Sequence, residues 1–81
     1  MPRFFFHIHD HRGAAKDSEG RELASVELAR KEATKGARSI LSYEARQGLI
    51  DLTGRIEVTD AEGEVLFCLR YSETVTLRIT E

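Results

Sequence analysis

Apolar and polar residues alternate near the start of the chain, which is the pattern of a half-buried β-strand. Within residues 3–9, one side collects Phe4, Phe6 and Ile8, and the other side collects Arg3, Phe5, His7 and His9. A short alanine-rich stretch at residues 13–17 follows a turn and can return beside the first strand. The pattern therefore predicts an aromatic-rich first strand with a short second strand at the edge of the sheet.

A second pair of strands is predicted in the other half of the chain. Ile56 and Val58 alternate with polar residues in 54–59, and residues 64–70 follow after the segment Asp60-Ala-Glu-Gly63. Asp followed three positions later by Gly is typical of a type I turn. We therefore expect a β-hairpin whose second strand is apolar at every position from 65 to 69.

One helix is predicted between these strand pairs, over residues 25–47. Ser25 suits the N-cap position, and Gly48 suits a left-handed residue that ends the helix. At helical spacing one face collects small and aliphatic residues, which are Val26, Ala29, Ala33, Gly36, Ala37 and Ile40. This stripe predicts a helix that approaches the sheet closely.

The end of the chain alternates again, with Val75, Leu77 and Ile79 set against polar residues. This pattern predicts an additional C-terminal strand, which pairs either at its own sheet edge or with a neighbouring copy. The elements together predict a single α+β domain over residues 1–81. Its fold is a two-layer β-β-α-β-β antiparallel sheet with one long helix on one face and an extra C-terminal strand.

A single helix covers only one face of such a sheet, and the opposite face of the predicted sheet is not uniformly polar. Leaving apolar side chains of this face in water would expose the kind of patch that marks a protein interface. We therefore expect self-association as a homodimer through this face. The expected contact residues are Phe5, His7, Phe67 and Leu69.

The amino-acid composition limits the classes of protein to which this chain can belong. The chain has 81 residues, 41% of them hydrophobic and 32% charged, and no apolar run long enough to span a membrane. Twelve Lys and Arg against fourteen Asp and Glu give a net charge of -2, which excludes a globally basic nucleic-acid binder. A local ridge on the outer helix face keeps nucleic acid or an acidic protein open as an alternative partner. This ridge is formed by Lys31, Lys35, Arg38 and Arg46.

The sequence His-Ile-His-Asp-His has the residue types most often found in metal-binding sites. On a strand, His7 and His9 project from the same face and could both reach a Zn²⁺ ion, with His11 arriving from the turn. The same alternation is also typical of a polar row on a half-buried strand. A histidine metal site is therefore a further alternative to the self-association hypothesis.

Neither catalysis nor cofactor binding is predicted. The serines fall in turns, in the helix cap or on the helix exterior, and none lies in a nucleophile elbow. Cys68 lies in an apolar strand, where a thiol is unreactive, and a chain of this size has little room for a ligand pocket. The single cysteine and the absence of a secretion signal indicate a cytoplasmic protein.

Several segments resemble a family of small bacterial proteins that is known only as a domain of unknown function. The resemblance rests on Pro2-Arg-Phe-Phe-Phe-His-Ile8, Asp17-Ser-Glu-Gly20 with Glu22-Leu23, an Ala29/Ala33 helix, and Glu57-Val-Thr-Asp60 followed by Gly63. It extends over about residues 2–75 and implies one compact domain without an assigned activity. Cys68-Leu-Arg-Tyr71 stands where the family has a Pro-Phe pair, and the segment after Thr74 is longer than usual.

Overall fold

The computed structural model describes residues 1–80. The elements of the described chain are β1 (Arg3–Asp10), β2 (Gly13–Ala15), β3 (Arg21–Glu22), α1 (Val26–Gln47), β4 (Arg55–Thr59), β5 (Val65–Arg70) and a 3₁₀ helix (Tyr71–Glu73). The strands form one antiparallel sheet in the order β2-β1-β4-β5, and β3 pairs with the start of β1. The α+β class and the single long helix predicted from the sequence are confirmed. Among residues 1–80, no helix is both long and apolar enough to cross a membrane.

The helix forms where its caps and its small residues predict. The hydroxyl of Ser25 accepts a hydrogen bond from the backbone N–H of Leu28 at 3.2 Å, and Gly48 ends the helix with φ 89°. Three alanines and Leu41 on one face of α1 are buried against the sheet. The sheet side of this core consists of Phe4, Ile56, Val58, Leu69 and Tyr71. The absence of side-chain bulk on the helix allows the larger sheet residues to fill the space.

The strands at the β1 edge differ in detail from the prediction. The second strand lies at the edge as expected, but it is only three residues long. No sequence pattern predicts β3, which pairs its two residues with Arg3 and Phe4 of β1. A two-residue strand is too short to show alternation. It forms because Arg3 binds the carboxylate of Glu22 at 3.0 Å and the backbone N–H of Leu23 donates to the carbonyl of Pro2.

The predicted C-terminal strand does not form within the described chain, because residues 74–80 are in no strand. Its alternative pairing with a neighbouring copy stays a prediction. The backbone N–H of Tyr71 donates to the carbonyl of Gly54, and the Tyr71 ring is fully buried. The Arg38 guanidinium donates to the carbonyl of Thr74 at 2.8 Å, which ties the following backbone to the helix. The 3₁₀ helix thus follows β5 directly, and the alternating segment after it does not pair with a strand of the described chain.

Tyr71 occupies a tightly bounded site at the end of the core. Burial raises the pKa of Tyr71 to about 12, and the nearby carboxylates of Asp10 and Glu44 act in the same direction. A Cβ atom on Gly54 would lie 2.5 Å from Cε2 of the Tyr71 ring. Only glycine at position 54 therefore leaves room for this ring.

We expect Gly54→Ala to lower the free energy of unfolding by roughly 1 to 3 kcal/mol, the usual cost of overpacking a core. Urea unfolding followed by circular dichroism measures this change. Gly36→Ala is the matched control, because its Cβ would lie 3.7 Å from Cδ1 of Ile56, an ordinary contact. In the helix interior this control should raise stability by roughly 0.5 to 1 kcal/mol. Equal effects of the two substitutions would contradict the packing argument.

Candidate interaction surface on the outer face of the sheet

The outer face is the surface of the sheet opposite α1, and the strand register determines its side chains. Residues directly opposite each other across paired strands lie on the same face. The register therefore forms three outer rows across β1, β4 and β5, which are Phe5–Thr59–Val65, His7–Glu57–Cys68 and His9–Arg55–Arg70. The first row lies beside the β4–β5 turn, and the third lies at the opposite end of the face.

The structure places Phe5 and His7 on this face but corrects the other two predicted contact residues. Leu69 is opposite Ile56 in the register and is buried in the core beneath the helix. Phe67 is opposite Val58 and packs against the same core, with the Arg30 guanidinium 4.4 Å from the centre of its ring. The prediction that Phe67 and Leu69 face outward is wrong.

A β-bulge explains this error and supplies different apolar residues to the outer face. The register shifts between Val58 and Thr59, so that Thr59 is opposite Val65 and Leu66 is the additional residue. Alternation from the inward-facing Phe67 places Leu66 on the outer face. Val65 and Leu66 are 51% and 40% exposed. The apolar part of the outer face is therefore formed by Phe5, Val65 and Leu66.

Hydrogen bonds hold the ring of His7 in one orientation. The backbone N–H of Asp17 donates to Nδ1 of His7 at 3.0 Å, so we infer that the ring proton lies on Nε2. Nε2 then donates to the hydroxyl of Thr59 at 3.2 Å. The His7 ring is also stacked parallel to the ring of Phe5, with 6.4 Å between their centres. The two aromatic side chains thus form a fixed part of the surface.

Asp17 supports this arrangement from the loop between β2 and β3. Its carboxylate accepts hydrogen bonds from the backbone N–H groups of Phe6, Glu19 and Gly20. Burial of Asp17 alone would raise its pKa, but these backbone donors outweigh burial and hold the pKa below the usual value. The loop is therefore anchored to the middle of β1, where neither β2 nor β3 pairs.

The structure does not bring the three histidines together as a metal site. Both ring nitrogens of His7 are hydrogen-bonded, and Nδ1 of His11 lies 2.6 Å from the Asp51 carboxylate. The Thr53 hydroxyl and His11 hold the pKa of Asp51 well below its usual range. Nε2 of His9 lies 3.8 Å from Glu57. Among residues 1–80, no three His, Cys, Asp or Glu side chains are placed to hold a metal ion.

The outer face has a basic end, and an acidic turn lies beyond its other end. Arg55 and Arg70 are directly opposite each other on neighbouring strands, and both are exposed. Within residues 1–80 neither arginine forms an ion pair. At the other end Glu62 and Glu64 are exposed in the β4–β5 turn, which Asp60 holds by accepting hydrogen bonds from both of their backbone N–H groups. The face is thus basic at one end and apolar at the other, and an acidic turn lies beyond the apolar end.

The predicted basic ridge on the helix is partly engaged within the chain. Lys35 lies 3.7 Å from the Glu32 carboxylate, and Arg38 is bound to the carbonyl of Thr74. Lys31 and Arg46 are exposed, Arg46 in the last helical turn. The four side chains therefore do not form one uniformly available row.

A groove between α1 and β1 is larger than the sequence analysis expected for a chain of this size. Its volume is about 550 Å³, and its apolar lining includes Phe6, Ile8, Gly36 and Ile40. The groove exists because β2 and β3 cover only the two ends of β1, while the facing helix residues are small. The ion pair between Arg21 and Glu32 contributes to its polar rim.

Asp17→Asn should lower the free energy of unfolding at pH 7 by roughly 1 to 3 kcal/mol, because both carboxylate oxygens of Asp17 accept backbone hydrogen bonds. The pKa of Asp17 is lowered in the folded state, so its contribution is complete above the unfolded value of 3.8. It is lost as the pH falls through the folded value, and the difference between wild type and variant should shrink there. Urea titrations at several pH values measure this difference.

Asp60→Asn is the matched control, because only Oδ1 of Asp60 accepts the turn hydrogen bonds and an asparagine retains that oxygen. This substitution should cost less stability than Asp17→Asn. Equal losses would show that the second carboxylate oxygen of Asp17 contributes nothing.

Comparison with known proteins identifies the family of this chain. Searches of the curated proteins and of the solved structures found no match. A family model described as Domain of unknown function (DUF6894) matches residues 3–72, which include β1 to β5 and most of the 3₁₀ helix. This match confirms the resemblance noted in the sequence. The chain is therefore a member of the DUF6894 family, a domain of unknown function.

Proposed function

We propose that this protein is a non-enzymatic interaction module that self-associates as a homodimer through the outer face of its sheet. The observation that carries the proposal is the placement of Arg55 directly opposite Arg70, without an ion pair within residues 1–80. Like charges directly opposite each other on neighbouring strands are destabilising. An acidic partner surface would offset this repulsion.

The β4–β5 turn, beyond the other end of this face, carries two exposed carboxylates. Arg55 and Thr59 are four residues apart on β4, which corresponds to about 13 Å along the strand. Glu62 and Glu64 lie beyond Thr59 in the turn. A two-fold axis near the middle row would bring the basic end of each copy to the acidic turn of the other. Such an interface uses the same patch on both subunits and closes at two copies.

The apolar residues of the outer face supply the buried apolar surface that charged residues alone do not provide. Phe5, Val65 and Leu66 lie between the basic end and the acidic turn and would be removed from water in the dimer. Charge complementarity contributes mainly to the orientation of the two copies and to the rate of association. A typical interface buries about 800 Å² per partner, a modest part of the 5832 Å² surface of this chain. One sheet face is large enough for such an interface.

Part of the outer face is already held in a fixed conformation before binding, which also supports the proposal. The Phe5 and His7 rings are already stacked, and His7 is hydrogen-bonded at both nitrogens. Side chains that are fixed in the free protein lose less conformational entropy on association. His7 therefore acts as a positioning residue for Phe5, and neither of its nitrogens is required to contact the second copy.

The alternative partner, nucleic acid or an acidic protein at the helix ridge, has weaker support. Glu32 neutralises part of the charge of Lys35, and Arg38 is turned toward the C-terminal segment. A phosphate-binding surface gains affinity from each cation that contacts the backbone. Because Lys35 and Arg38 are already engaged within the chain, fewer cations of the ridge are available to contact phosphate. The outer face instead combines accessible apolar groups with two arginines that form no ion pair within residues 1–80.

Charge reversal tests the proposed dimer. The double variant Arg55→Glu/Arg70→Glu and the double variant Glu62→Lys/Glu64→Lys should each weaken dimerisation by at least roughly tenfold, because like charges then meet at both ends. Sedimentation velocity over a range of protein concentrations gives the dissociation constant. An equimolar mixture of the two variants should form a heterodimer, because their charges are again complementary.

Lys31→Glu/Arg46→Glu is the matched control, since it reverses the same number of positive charges on the helix. It should leave dimerisation unchanged. A monomeric wild-type protein at high micromolar concentration, or failure of the mixed variants to associate, would refute the proposal. Salt-dependent binding of mixed DNA that is lost in the helix variant would support the alternative partner instead.

A further inference from the structure

The C-terminal segment has the pattern of a strand but no partner strand within the described chain. Residues 75–80 follow the 3₁₀ helix and belong to no helix or strand. Val75 packs against the core, whereas Leu77 and Ile79 are 64% and 87% exposed. Apolar residues at alternate positions of an exposed segment are the arrangement expected of a strand that pairs elsewhere.

The same chain does not provide that pairing. The Tyr71 N–H is bound to the Gly54 carbonyl, and both the N–H and the hydroxyl of Thr74 donate to the Tyr71 carbonyl. Arg38 holds the carbonyl of Thr74 toward the helix. Residues 75–80 therefore follow a point that these contacts fix, and they pair with no strand of the described chain. These contacts do not restrict where a second copy can lie, so its β5 edge can pair with the segment.

An unoccupied sheet edge of matching length and character lies at β5. Among the described strands β5 ends the sheet order, so one side of its backbone has no neighbouring strand. The strand has six residues, and Val65 to Leu69 are apolar without Lys or Pro to block pairing. Open edges of this kind readily accept another strand, and proteins normally cover or charge them. The edge of β5 thus offers backbone donors and acceptors to an added segment.

We propose that residues 75–80 of one copy add as an antiparallel strand to the β5 edge of a second copy, and that the exchange is reciprocal. The inference rests on self-association as proposed above, but it uses the sheet edge rather than the basic end of the outer face and the acidic turn. Each copy then donates its C-terminal segment and accepts that of its partner. The dimer leaves neither β5 edge open.

One register satisfies both faces of the extended sheet. With Leu77 opposite Leu69 and Ile79 opposite Phe67, the apolar side chains of the added strand lie on the helix side, beside apolar neighbours. Arg78 then lies opposite Cys68 on the outer face. Cys68 is itself opposite Glu57, so the arginine lies two strands from a carboxylate of opposite charge. Shifting the register by one residue would expose both Leu77 and Ile79 on the outer face.

The native cysteine allows a direct test of this register. Directly opposed residues of antiparallel strands have Cα atoms about 4.5 to 5.5 Å apart, within the range of a disulfide. Mild oxidation of the Arg78→Cys variant should therefore yield a disulfide-linked dimer in at least severalfold greater amount than oxidation of Leu77→Cys, whose side chain lies on the other face. Arg78→Cys/Cys68→Ser should yield no such dimer. Non-reducing gel electrophoresis and peptide mass spectrometry identify the linked pair.

Removal of residues 76–81 is the second test, and it keeps Val75, which packs against the core. At protein concentrations below the dimer dissociation constant, the shortened chain should unfold at nearly the same urea concentration as the full chain. Its dimer dissociation constant should rise at least roughly tenfold. An unchanged dissociation constant would overturn the strand exchange and leave the outer-face proposal intact. Equal cross-linking of the two cysteine variants, or a Cys68–Cys68 link in the wild type, would also overturn it. A monomeric full-length chain would refute both proposals.

Discussion

The close contact between the alanine stripe of α1 and the large side chains of the sheet determines which side of each strand is buried. Ala29, Ala33 and Ala37 are almost completely inaccessible, and the volume beneath them is filled by the sheet. Because one helix is available for this contact, only one sheet face receives it. The composition of the other face, including the Arg55–Arg70 pair at its basic end, follows from the strand register that the core imposes.

Much of the fold could be predicted because local patterns agree with the tertiary structure. The alternation in β1 and β4, the Ser25 cap and Gly48 each specify an element without long-range information. The side on which Phe67 and Leu69 lie could not be predicted in this way. A run of apolar residues has no period, and the bulge at Leu66 reverses the order of faces along β5. The prediction for the C-terminal segment failed within the chain for another reason. Contacts of Tyr71 and Arg38 with distant residues override the strand pattern of this segment.

The candidate surface was predictable in part. Phe5 and His7 lie on the outer face as the alternation of β1 indicates, whereas Arg55 and Arg70 became visible as a pair only through the register of β4 and β5. Their sequence positions, fifteen residues apart, carry no signal of proximity. The outer face and the open β5 edge meet along the same strand. Self-association at one surface would therefore place the second copy near the other, and the two proposed contacts can reinforce each other in a single closed dimer.

The packing of Tyr71 against Gly54 has a consequence for sequence divergence within the family. The ring occupies the volume that any side chain at position 54 would need. The two positions are thus constrained as a unit, and a relative that acquires a larger residue at 54 must accept a smaller one at 71. Such an exchange would also alter the path of the backbone after the last strand. Covariation between positions 54 and 71 should therefore accompany differences among family members in the path of the chain after the last strand.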